Sequence, residues 1–122
     1  MAVGKHQQLV QRLAALTASG SLEWRPTSDQ SVVLVAFSKY SVLLRQSNSR
    51  ELPDTYDYHL RIVNGSGDVI EEISDTDLAA TMGGHEAYKV MHELFEQARR
   101  KALGSDAALD SIIRDLDEII PF

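Results

Sequence analysis

From Glu86 to Gly104 apolar residues recur at steps of three and four: Ala87, Tyr88, Met91, Leu94, Phe95, Ala98 and Leu103, with Val90 and Ala102 widening the stripe. That period predicts an amphipathic helix, because a strand needs a period of two. Glu86, Lys89, Glu93, Glu96, Gln97 and Arg100 fall on the other side, where they meet water. Arg99, Arg100 and Lys101 crowd the last turns, where the helix dipole favours cations, and Gly104 can adopt the left-handed stop conformation. Residues 5–18 predict an earlier helix, with Leu9, Val10, Leu13 and Leu16 on one side and Ser19-Gly20 as its stop. It is expected to lie on the domain's own sheet, the alternative being an arm or dimer-forming helix. Beyond Gly104, with Ser105 as a candidate N-cap, Leu109, Ile112, Ile113, Leu116, Ile119 and Ile120 form a broad stripe on a further helix.

Between the helices the pattern changes. Val32 to Gln46 is rich in β-branched and aromatic residues, and a turn at Ser38-Lys39 sets Phe37 against Tyr40, Val35 against Val42 and Val33 against Leu44. All six then share one face, the kind of match that fixes register. The second face, with Val32, Leu34, Ala36, Leu43 and Arg45, is apolar enough to call for cover by the first helix or by another subunit. Residues 47–54 read as a loop. Thr55 to Asn64 alternates Tyr56, Tyr58, Leu60 and Ile62 with Asp57, His59 and Arg61, a half-buried strand. Asn64 to Gly67 turns it into a short strand over Asp68 to Ile73, followed by a polar connection with a helical turn near Asp77 to Ala80. The expected fold is α+β: one domain over residues 1–122, with a leading helix, an antiparallel meander of three or four strands, and two C-terminal helices packed on the sheet as a two-layer sandwich.

Composition narrows the function. A chain of 122 residues buries roughly two-thirds of its unfolded surface. It has no cysteine, which excludes disulfides, thiolate metal sites and cysteine nucleophiles and suits a reducing cytoplasm. The net charge of −6 argues against direct binding to a nucleic-acid backbone. No stretch approaches the apolar length of a membrane span, and the polar start does not resemble a signal peptide, so a cytoplasmic location is expected.

Several short stretches carry a resemblance: Leu22-Glu23-Trp24, Tyr56-x-Tyr58-x-Leu60, Gly67-Asp68-Val69-Ile70, Leu94-Phe95-x-x-Ala98-Arg99-Arg100 and Leu109-x-x-Ile112-Ile113. In this order the chain resembles small uncharacterised bacterial and phage α+β proteins over nearly its whole length. The resemblance implies the fold and a bacterial or mobile-element origin. It implies no activity and assigns no functional residue.

Four groups of residues are candidates for chemistry. Trp24, the single tryptophan, can stack on a ligand or plug the core with its indole N–H on an acceptor. Tyr58, His59 and Arg61, with Asp57, concentrate polar function on one strand, either as a ligand or acid–base row or as a solvated sheet face with paired charges. His85 and His92 lie on nearly one side of the long helix, but a seven-residue separation is a rise of about 10 Å, too far for one ion, and Lys89 stands between them. The HExxH spacing of zinc helices is missing. Leu109, Ile112, Ile113 and Leu116 offer an interaction surface. Asp54 to Asp77 is acidic without calcium-loop spacing, and an acidic surface can also imitate nucleic acid. The leading expectation is a non-enzymatic interaction or adaptor protein, a homodimer or the binder of a protein partner, with no cofactor. A small ligand binder or enzyme on the Tyr58/His59/Arg61 strand and an acidic nucleic-acid-mimicking inhibitor are the alternatives.

Overall fold

In chain order the computed structural model, which describes residues 3–48 and 56–119, contains α1 (Val3–Ala18), β1 (Arg25–Pro26), β2 (Val32–Ala36), β3 (Tyr40–Asn48), β4 (Tyr56–Asn64), β5 (Val69–Ser74), α2 (Asp75–Met82), α3 (Gly84–Leu103) and α4 (Ser105–Ile119). The five strands form one antiparallel meander in the order β1-β2-β3-β4-β5. The sheet therefore has more strands than the three or four expected. The fifth is β1, whose proline is tolerated because the strand lies at an edge. Most of the loop expected over 47–54, together with Thr55 and the Ile120 end of the last stripe, lies outside the described residues.

The hairpin register follows from the apolar match. Val33 faces Leu44 and Val35 faces Val42, and the Phe37 amide donates to the Tyr40 carbonyl at 2.8 Å to close the turn. Strand alternation then gives the sheet two distinct faces. The inner face carries Val33, Val35, Val42, Leu44, Tyr58, Leu60 and Ile73, all buried. Phe37 and Tyr40 belong to the same face but lie beyond the helices, and both remain about half exposed.

Helices cover the inner face. The apolar stripe of α3 buries Ala87, Met91, Leu94, Phe95 and Ala98. Gly104 stops α3 in the left-handed region (φ 67°), where its amide caps the carbonyls of Arg100 and Lys101. Beside α3, α1 contributes Val10 and Leu13 to the same core. Its ends reach opposite sheet edges: His6 lies 3.8 Å from Glu71 of β5, and Thr17 bonds Trp24 just before β1. The helical turn expected near Asp77 is a full helix, α2. It is held by reciprocal 3.0 Å bonds in which the Asp77 amide donates to Ser74 Oγ and the Ser74 amide to Asp77 Oδ2.

α4 departs from the expected sandwich. It was expected on the sheet, yet none of its residues is buried, and its neighbour is α3, which it leaves at the Gly104 corner. Its first turn is pinned by Arg100 Nη2 donating to Asp106 Oδ1 at 2.6 Å. Ser105 is already the first helical residue rather than a side-chain cap. The outer face of the sheet differs from expectation too, since α1 lies on the inner side and no helix among the described residues covers it.

Candidate functional site

The polar residues of β4 divide by strand parity. Tyr58 pairs across the ladder with Gln46 and points inward, while His59 and Arg61 pair with Arg45 and Leu43 and point outward. The structure therefore does not bring Tyr58 together with His59 and Arg61 on one face of the sheet. Nor does Trp24 join either group. It is 3% exposed, with its indole N–H donating to Thr17 Oγ1 at 2.9 Å. It plugs the core and has no ring face free for a ligand.

Outside, Arg61 Nε donates to Glu72 Oε2 at 2.8 Å, and His59 Nδ1 lies 3.5 Å from the other oxygen of the same carboxylate. Glu72 thus engages Arg61 in a surface ion pair on the open sheet, with His59 beside it. Such pairs contribute about 0–1 kcal/mol.

Inside, Tyr58 has become part of a polar network that sequence reasoning missed. Its ring is fully buried among Tyr88, His92 and Phe95, with centroids 5.7 to 5.8 Å away. Gln46 Nε2 donates to its hydroxyl at 3.1 Å, and His92 Nδ1 lies 2.5 Å from that oxygen. Burial pushes the Tyr58 hydroxyl up to about 12; nearby Tyr88 and Glu96 add to the rise, and the bond from Gln46 works against it. Tyr58 Oη and His92 Nδ1 share one hydrogen bond whose direction follows the imidazole tautomer. The signal available in sequence was position: His92 follows Met91 directly and sits four residues after Tyr88, at the margin of the α3 stripe.

This network gives a pH prediction. Below pH 10 the phenol is protonated in both folded and unfolded chains. Between 10 and about 12 the unfolded chain ionises Tyr58 while the folded chain does not. The unfolded state then binds fewer protons, and stability falls as pH rises through that window. Tyr58→Phe should cost about 1 kcal/mol at neutral pH through the lost hydrogen bonds. The gap to wild type should then narrow above pH 10, as read by urea denaturation across pH. A gap that stays constant would show the hydroxyl to be solvated.

His85 and His92 are not brought together: His85 is exposed in the first turn of α3, and His92 is half-buried on Tyr58. Among the described residues no group of three or more His, Asp or Glu side chains is placed to hold a metal ion. A hollow of about 310 Å³ opens between the end of α1 and the last turns of α3, bordered by Thr17, Ser19, Gln97, Arg100 and Lys101. Its cations are already engaged, Arg100 by Asp106 and Lys101 by Glu23 at 3.9 Å. It touches none of the residues expected to carry chemistry.

What remains is α4. Leu109, Ile112, Ile113, Leu116 and Ile119 are 51, 56, 55, 50 and 73% exposed. At helical spacing they form one stripe, edged by Asp115 on one side and by Asp110 and Asp117 on the other. The outer sheet face is the second uncovered apolar surface. Val32, Leu34, Leu43 and Val63 share it with Val69, which is 53% exposed. No helix among the described residues is long and apolar enough to cross a membrane. No family model matches the chain, and no curated protein or solved structure is significantly similar to it.

Proposed function

We propose that the chain is a non-enzymatic interaction protein that docks on a protein partner through the apolar stripe of α4. The supporting observation is that a helix of 15 residues buries none of them while presenting Leu109, Ile112, Ile113, Leu116 and Ile119 to solvent. A helix of about 12–15 residues is marginal in water by itself and gains its stability by covering its apolar face. Contiguous exposed patches of this kind mark interaction sites. The acidic edges of the stripe disfavour phosphate backbones and anionic lipid surfaces, which leaves a protein surface as the chemically matched partner. A cytoplasmic, bacterial or mobile-element setting fits this reading through the lack of cysteine and the sequence resemblance.

The test is a photo-crosslinking residue placed in the chain at its natural abundance in cells. Positions 112 and 113 should give a discrete covalent adduct, whereas Arg114 and Glu118, on the far side of α4, should not. Equal labelling from both sides, or no adduct from the stripe, removes the reading.

A further inference from the structure

The following inference rests on α4 being a docking helix and names its occupant. We propose that α4 docks on a second copy of this chain, lying across the outer face of that copy's sheet.

Shape supports this pairing. Among its described residues each chain leaves the amphipathic α4 and the outer sheet face uncovered, and a helix on a sheet is the packing that the inner face already uses. The 15 residues of α4 span about 22 Å. The five-stranded sheet is about 19 Å across.

Charge decides among the candidate surfaces. Two α4 helices set stripe to stripe would bring Asp110, Asp115 and Asp117 against the same carboxylates of the partner helix, a like-charge arrangement that destabilises. The outer sheet face has the opposite character. Its apolar residues are interleaved with arginines: Arg25 beside Leu34 on the β1 edge, Arg45 beside Val32 and Arg61 beside Leu43 on the central strands. The acidic groups on or beside that face among the described residues are Asp57, Glu72, which pairs with Arg61, and Asp29, whose carboxyl feels the charge of Arg45, so Arg25 is the arginine of that face with no carboxylate bound to it. An apolar stripe with acidic edges therefore meets an apolar floor that carries arginines, with Arg25 at its β1 edge. Exchange of both α4 helices about a two-fold axis covers all four surfaces and closes the assembly, whereas one-way docking would propagate into chains.

Sedimentation velocity on the full chain at nanomolar and micromolar concentrations tests the proposal. Wild type should run as a dimer at micromolar concentration. Ile112→Glu should be monomeric with an unchanged far-ultraviolet circular dichroism spectrum, because Ile112 is 56% exposed within its own chain. Arg25→Glu with Arg45→Glu should raise the dissociation constant at least about tenfold, as should Asp110→Lys with Asp117→Lys. Combining all four substitutions should restore the dimer, since the facing charges are then exchanged in sign.

A dimer lost with Ile112→Glu but indifferent to the arginine substitutions overturns the sheet as occupant and leaves α4 as a docking helix. A monomer at every concentration, with a cellular adduct from Ile113 to a different protein, does the same. A monomer with no adduct overturns both.

Discussion

Phe95→Ala should lower the free energy of unfolding by about 3–5 kcal/mol, the usual cost of emptying a buried aromatic site. Phe95 is fully buried at the centre of the α3 stripe, where its ring meets that of Tyr58 at 5.8 Å and a tilt of 47°. No smaller neighbour can fill the space, because Leu60, Met91 and Leu94 around the same core are themselves fully buried. Against a total stability of about 5–15 kcal/mol for a domain of this kind, the loss is a large share. Urea denaturation should show an earlier midpoint with an unchanged slope, since the surface exposed on unfolding stays the same. A cost under about 1 kcal/mol would mean that α3 is not seated on the sheet as described.

Trp24→Ala should be comparably severe, again about 3–5 kcal/mol, because the indole is almost completely removed from water and the change also leaves buried Thr17 without its donor. Trp24→Phe separates the two contributions: the plug is mostly retained, and the loss should fall to about 1–2 kcal/mol. As the single tryptophan, Trp24 reports its own environment. Native emission should be blue-shifted and should move to the red only with global unfolding. Red-shifted native emission together with a cheap Trp24→Ala would place the ring at the surface and return it to the ligand-binding candidates.

These two sites show what was legible in the sequence. The α3 period fixes the helix and its buried face because every turn of Glu86 to Gly104 repeats the same signal. The β2–β3 register is equally legible, since only one pairing sets Val33 on Leu44 and Val35 on Val42. Grouping Tyr58 with His59 and Arg61 put chemical type ahead of strand parity, although the alternation that separates them is written in residues 56–62. β1 was hidden for a different reason. Two residues, one of them proline, carry no periodic signal, and the strand exists because β2 offers an edge. α2 was shortened to a turn because its cap uses Ser74 and Asp77, where the common box has glutamate or glutamine at the fourth place. The greatest difference concerns α4. Its amphipathic pattern specifies that Leu109, Ile112, Ile113 and Leu116 share a stripe, but a pattern within one helix does not encode what the stripe rests on. The same holds for the outer sheet face, whose Val32, Leu34 and Leu43 read as buried positions whichever molecule covers them.

In the proposed dimer α4 is a docking helix covered by the sheet of a second copy. Amide hydrogen exchange of the wild-type chain, read by mass spectrometry over a dilution series, tests it most directly. Protection of residues 109–119 should rise with concentration in parallel with the dimer fraction, while the amides of α3 keep the same protection throughout. An α4 that exchanges as fast at micromolar as at nanomolar concentration would rule out this pairing.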